Sequence, residues 1–289
     1  MEQRFPDEGL HQMLVSRYIS EDRLDDAEAY LRERAGRDTV EGVKSQMELI
    51  AFLTQWRGRD VAIAEIDQML AQDTAHRALL RSARAGLDFE SGNQDGAILE
   101  MEDILKTAEP SEETDRIKVA FARMLIVSGN SVGARAQIEE VLEHDSGQVA
   151  AIKMKAGWLI EDDRPGDALV DPRSASTKAP RDPEIMTLMA QAHERTGNQY
   201  LMGEMLSLAV EASGSNLETS LRYARYLVQE EKFIPAEDIL KEALRLQNNN
   251  PMLLSALGGL YVQMEDWART QHVVDNLQCL GTDQGQALA

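Results

Sequence analysis

Small residues recur in this chain at a fixed interval. Ala122, Ala156, Ala190, Ala224 and Gly258 follow one another at 34 residues, and Ala51 and Ala85 share that spacing. The gap from Ala85 to Ala122 is 37, and the acidic stretch EPSEET (109–114) can hold the three extra residues. Val15 precedes Ala51 by 36. A period of this length marks a module that cannot bury its apolar face alone and must stack on its neighbours. One solenoid over 1–289 is expected, with units near 8–43, 44–77, 78–114, 115–148, 149–182, 183–216, 217–250 and 251–284.

Twelve residues after each small residue a second set recurs: Ala27, Ile63, Ala97, Ala134, Ala168, Met202, Ala236 and Thr270. Between the two sets lies a glycine or an acid: Asp22, Gly58, Gly92, Gly129, Asp163, Gly197, Glu231 or Glu265. This predicts two helices per unit. Each has a small residue where backbones meet, with a turn between them; glycine at the end of the first helix accepts the left-handed conformation, and Asn or Gln after it continues the turn. Apolar stripes at helical spacing support this, as in Tyr223–Ala224–Leu227 and Ala236–Ile239–Leu240–Ala243–Leu244. Pro183 and Pro251 fall in the first turn of a first helix and Pro235 in the first turn of a second, where proline is tolerated. No stretch alternates, so no strand is expected.

Unit five departs from the pattern. Pro172 sits where Leu31, Met101, Ile138, Leu206, Leu240 and Val274 sit elsewhere, and Ser176 replaces a leucine. An interior proline costs on the order of 3 kcal/mol. The second helix is therefore expected to break near Asp171–Pro172. Either Asp171 caps a short new helical segment, or the stretch is a hinge or docking loop.

The pattern resembles the tetratricopeptide repeat, most clearly in LLSALGGLYVQMEDWARTQHVV (253–274), where Leu257-Gly258, Tyr261 and Trp267 match consensus positions. The resemblance covers about residues 8–280 and implies an all-α, right-handed superhelix of about eight helix-turn-helix units. Unit three carries Arg81, Arg84 and Asp88 at positions the family keeps apolar, so its first helix is expected to be rotated or shifted. In this family first helices line a concave groove. The positions beside the packing stripe are Glu48, Leu49, Phe52, Trp56, Phe89, Arg116, Arg123, Ile126, Lys153, Met154, Ile160, Arg222 and Arg225. Leu49, Phe52 and Trp56 share one face, either as an interaction cluster or as core. The groove arginines can grip a carboxylate or pair with nearby glutamates. The family's carboxylate clamp needs lysine and asparagine at fixed inner positions. Lys153 is followed by Gly157 where asparagine belongs, so that clamp is not expected.

The resemblance implies a non-enzymatic scaffold binding a protein or peptide in the groove, with an envelope or export assembly as one setting. A ligand- or signal-peptide-sensing domain, or the non-catalytic part of a larger protein, is the alternative. Composition narrows the partners. Lys and Arg total 30 against 50 Asp and Glu, a net charge of −20, which repels phosphate backbones and excludes a general nucleic-acid role. No apolar run approaches the roughly 18 residues needed to span a bilayer, and MEQRFPDEGL does not read as a signal peptide. A soluble protein of cytoplasm or periplasm is expected. The five histidines are scattered and Cys279 is the only cysteine, so no catalytic, metal or cofactor site is expected. The last helix carries Val273, Val274, Leu277 and Leu280 with no cap helix after it. It is expected to be an open apolar end, continued in a longer protein or covered by a partner or a second copy.

Overall fold

The computed structural model describes residues 7–36, 42–72, 76–169, 179 and 181–280, and among these every regular element is helical. By internal contact the chain divides into two compact units, residues 1–137 and 138–289.

The first unit holds α1 (Asp7–Ser20), α2 (Leu24–Ala35), α3 (Gly42–Trp56), α4 (Arg59–Ala71), α5 (Arg77–Glu90), α6 (Gln94–Lys106) and α7 (Glu112–Val127). The division falls inside α8 (Ser131–His144). The second unit continues with α9 (Val149–Glu161), α10 (Pro183–Arg195), α11 (Gln199–Ala212), α12 (Leu217–Gln229), α13 (Phe233–Leu246), α14 (Pro251–Gln263) and α15 (Trp267–Cys279). Consecutive helices pack as antiparallel neighbours through the small residues. Ala85, Ala122, Ala156, Ala190 and Ala224 are buried, and so are Ala27, Ala97, Ala134, Ala168 and Ala236. A side chain of one carbon lets two helix backbones approach, and larger neighbours such as Leu240, Leu253 and Leu260 fill the space around the contact.

All eight mid-unit turn residues have positive φ, between 56° and 101°. Five of the helices that follow an inter-unit connection are capped by a side chain. Ser111, Gln148, Asp182, Asn216 and Asn250 each accept a backbone N–H from the first turn of α7, α9, α10, α12 and α14. Pro183 and Pro251 follow two of these caps, where a missing N–H costs nothing.

Glu231 and Glu265 hold this left-handed conformation without being glycine, at φ 56° each. Their Cβ atoms crowd the backbone, a strain that glycine lacks. Glu231→Gly is expected to raise stability by about 0.5–1 kcal/mol, read as a higher midpoint of thermal unfolding. Glu231→Gln removes the same charge but keeps the Cβ, and should leave the midpoint unchanged. An equal rise in both variants would assign the effect to charge and not to backbone.

Three expectations need correction. The second repeat is out of register by one residue. Gly58 N donates to Leu53 O at 2.9 Å, the bond that Asn93 N makes to Asp88 O in the next repeat, and α4 starts immediately at Arg59. The connection is one residue shorter, so Gly58 takes the capping place of Asn93. The contact residues are therefore Ile50 and Ala62, both buried, while Ala51 is exposed and Ile63 only half-buried. The twelve-residue offset survives, and the alanine at 51 is a coincidence of spacing.

The third repeat, by contrast, keeps its register, because Ala85 is buried. Arg81 reaches Glu100 and Asp103 on α6 at 2.7 and 2.9 Å, and Arg84 reaches Asp67 on α4 at 2.7 Å. Ion pairs replace the apolar contacts of other repeats, and α5 neither rotates nor shifts.

The last helix is not an open apolar end. Val273, Val274 and Leu277 are buried; Val273 and Leu277 belong to one core cluster with α13 and α14. The outward positions of α15 include Gln271, His272, Asp275, Asn276 and Gln278, while Trp267 at the start of the helix and Leu280 after its end are exposed apolar residues. The stripe of Val273, Val274 and Leu277 is buried and leaves a mostly polar outer face from Gln271 to Gln278.

In the fifth repeat the chain after α9 makes one 3-10 turn, Asp167–Leu169, at the place where a second helix begins elsewhere. Ala168 and Leu169 still pack, against Ile160 and Ala192. Asp171, Pro172 and Ser176 lie outside the described residues.

Candidate functional site

The second unit carries a groove along its first helices. It is built around α12. Asn216 caps this helix by accepting Thr219 N at 2.9 Å. The helical period then divides the side chains: Ser220, Ala224 and Leu227 are buried, while Leu221, Arg222, Arg225 and Gln229 face outward.

Two adjoining hollows lie on either side of α12. One, of about 510 Å³, is lined by α10, α11 and α12 together with Met252. Its apolar floor is Ala190, Met202, Leu206, Leu217, Leu221 and Tyr226, and its polar rim is Gln191, Glu194, Glu218, Arg222, Arg225 and Gln229. The other, of about 430 Å³, lies mainly between α12 and α14 and is lined by Leu221, Ala224, Arg225, Val228, Leu240, Met252, Ser255, Ala256, Gly259, Leu260 and Gln263. Both are open to solvent, and Leu221, Arg225 and Met252 border both.

Local sequence explains the shape. On α14, Met252, Ser255, Ala256 and Gly259 fall at i, i+3, i+4 and i+7, one face of a helix. Three of the four are small, which keeps the second hollow empty. A Cβ added at Gly259 would meet nothing within 4 Å. Beside the first hollow, Gly203 on α11 makes room for Tyr226, since an added Cβ there would collide with its ring and hydroxyl. Without a side chain at 203, the Tyr226 ring lies back against α11, stacked near Tyr223 at 6.2 Å between centroids.

The charges of the groove are unequal in availability. Arg222 is held by Glu218 at 3.0 Å, an i,i+4 pair on its own helix. Arg225 is exposed and makes no ion pair among the described residues. A guanidinium of this kind, between two hollows with apolar floors, can donate to a carboxylate in bidentate fashion.

The other sequence-derived candidates are placed elsewhere. Leu49 and Phe52 are core residues, packed with Ala27, Leu31, Leu53 and Ile66. The one-residue slip of the second repeat turns them inward, since one residue is 100° of helix. Phe89 and Ile160 are buried as well. These four are out of reach of a partner. Trp56 is 39% exposed at the end of α3, and Ile126 is exposed at the end of α7. Arg116 pairs with Glu112 at 2.5 Å on its own helix, and Arg123 is exposed on α7. Both belong to the first unit. Glu48 is bonded to the buried His11 at 2.7 Å. Lys153 is bound at 2.7 Å to Asp182 and at 2.8 Å to Glu184. Burial works against its charge, but the two carboxylates outweigh it and hold its pKa above the ordinary lysine value. Met154 is half-buried beside it. Of the predicted set, only Arg222 and Arg225 come together at a groove. The sequence pattern does not single out Met252, Ser255, Ala256 and Gly259, which line the second hollow and whose one signal is a run of small residues on the outward face of a first helix.

Among the described residues no group of three His, Cys, Asp or Glu side chains could hold a metal ion. No described helix is long and apolar enough to cross a membrane.

The fold can be compared with known proteins. No protein-family model matches the sequence, and neither does any curated protein. Solved structures do match in fold. The pilF protein of Pseudomonas aeruginosa is 19% identical, with 73% of this chain and 96% of that one covered at a TM-score of 0.58. PilW, described as a widely conserved type IV pilus biogenesis factor, is 12% identical, with 73% and 97% covered at 0.60. The C-terminal part of a TPR repeat-containing protein of Cytophaga hutchinsonii is 12% identical, with 83% and 98% covered at 0.56. The chain has the tetratricopeptide-repeat solenoid fold.

Proposed function

We propose that this tetratricopeptide-repeat fold serves as a non-enzymatic scaffold that holds a protein or peptide in the groove over α10, α12 and α14. The observation that carries the reading is Arg225: an exposed cation with no ion-pair partner among the described residues, set between two apolar hollows in a chain of net charge −20. Elsewhere in the second unit, arginines such as Arg245 and Arg269 are paired with carboxylates. Two hollows open to solvent suit a segment of a larger partner, whereas a metabolite sensor needs a site that encloses its ligand. We place such a scaffold in a bacterial envelope or export assembly. The support is the likeness in fold to PilW, itself a pilus biogenesis factor.

The test is site-specific photocrosslinking in cells. A crosslinker at Gln229, on the groove wall, is expected to capture a partner; one at Glu242, exposed on α13, is not. Arg225→Glu should cut the yield at 229 about tenfold, as expected for reversing one charge at a partly desolvated contact. Equal capture from both positions, untouched by Arg225→Glu, would remove the groove as the binding surface.

A further inference from the structure

We propose that the groove selects an extended peptide with two apolar side chains three residues apart and a carboxylate between them. This rests on the groove being the binding surface. The pattern follows from how the two hollows share their walls. They lie on opposite sides of one helix and meet over Leu221, Arg225 and Met252. Neighbouring helix axes pack about 8–10 Å apart, so the two hollows are separated by about one such step. In a polyproline-type extended segment, residues i and i+3 lie on one face about 9 Å apart. One such segment therefore fills both hollows.

The charge pattern places the carboxylate. The rim of the first hollow already carries Glu194 and Glu218, and Glu218 occupies Arg222. An acidic residue at that outer rim meets like charge. Arg225 borders both hollows and is uncommitted among the described residues, so the acid belongs at one of the two positions between the apolar anchors. In a threefold segment these two side chains project to the flanks of the seated face, within reach of the long Arg225 side chain, and a basic residue there would meet its like charge.

The size of the anchors follows from the two glycines. Gly203 allows Tyr226 to lie back, and Gly259 leaves the second hollow open. Each hollow is large enough to admit a bulky aliphatic or aromatic side chain.

The experiment is a selection from a random displayed peptide library on the immobilised full chain, with selected peptides then titrated by fluorescence anisotropy. Enrichment of apolar-x-x-apolar segments with Asp or Glu at an intervening position is expected. Arg225→Glu should weaken such a peptide about tenfold or more, and replacing its acid by lysine should restore binding to that variant. Gly259→Leu should abolish binding while unfolding no earlier than the wild type, because its Cβ meets no neighbour and leucine is the better helix former. Met252→Asp, at an exposed first-turn position where an acid suits the helix, reports on the groove itself.

Peptides that lose binding on Met252→Asp but carry no acid and ignore Arg225→Glu would overturn this motif and leave the groove standing. Peptides indifferent to all three substitutions would overturn both readings. A selection that enriches nothing overturns the motif.

Discussion

Glu237→Ala is expected to lower the unfolding free energy by about 2–3 kcal/mol. Glu237 lies on α13, almost fully buried, and its carboxylate joins three successive helices. Oε1 accepts the Tyr261 hydroxyl of α14 at 3.0 Å and Arg269 Nη1 of α15 at 2.7 Å, and Lys241 Nζ lies 2.5 Å away on its own helix. The Arg269 guanidinium also sits 4.4 Å from the centroid of the Tyr261 ring. Removing the carboxylate strands the Tyr261 hydroxyl, which is 4% exposed, and an unsatisfied buried polar group costs about 1–3 kcal/mol. The two cations fare better. Arg269 keeps Asp266 at 2.7 Å, and Lys241 is exposed to water. The loss therefore falls short of the roughly 3–5 kcal/mol seen when a fully buried charge is left alone.

The same group sets a pH dependence. Burial favours the neutral acid, but Lys241, Arg269 and Tyr261 outweigh it and hold the Glu237 pKa below the ordinary glutamate value. A group depressed in the folded state contributes fully above its unfolded pKa and loses that contribution as pH falls through the folded value. Stability should therefore fall on acidification below the ordinary glutamate range. Glu237→Gln should remove this part of the fall while leaving the Tyr261 hydroxyl an acceptor. Denaturant midpoints across pH 3–7 read both effects. An acid profile identical in wild type and Glu237→Gln would show that the network contributes nothing.

Gly203→Ala is expected to cost about 1–2 kcal/mol, although alanine is the better helix former. The added Cβ would lie within 2.5 Å of the Tyr226 ring carbons, a distance that forces the ring to move. Overpacking of this kind costs about 1–3 kcal/mol, and the helix-propensity gain of about 1 kcal/mol offsets part of it. Tyr226 lines the first hollow, so the ring can yield into that space. The substitution should thus damage stability and shrink the first hollow together. Tyr226→Leu in the same chain removes the obstacle, so the double variant should be less destabilised than the sum of the singles. Additive losses would place the strain elsewhere.

Much of the architecture is legible in particular residues. The left-handed turns at Gly58, Gly92, Gly129 and Gly197 are legible as glycines between two small residues, and the acids Asp22, Asp163, Glu231 and Glu265 take the same positive φ at the matching places. The buried contacts at Ala122 to Ala224 follow from their 34-residue spacing. The second repeat misleads because one residue is missing after Gly58 and an alanine happens to stand at 51. A slip of that kind reverses the fate of Leu49 and Phe52 while leaving the apolar count unchanged.

The candidate site was harder to read. The helical period of α12 places Arg225 on the outward face from sequence alone. The ion pairing of Lys153 is not legible, because its partners, Asp182 and Glu184, come from the cap and first turn of another helix about 30 residues on. Charge compensation across repeats leaves no local trace in sequence. Nor does an empty space: Gly259 reads as a helix weakness, and only the packing around it reveals a hollow.

The central claim is that α10, α12 and α14 present the binding surface. Amide hydrogen exchange of the full chain, alone and with a captured partner or selected peptide, tests it most directly. Slower exchange confined to 217–229, 251–263 and the end of α10 is the predicted outcome. Protection concentrated on the second helices α11, α13 and α15, with the groove helices unchanged, would contradict it.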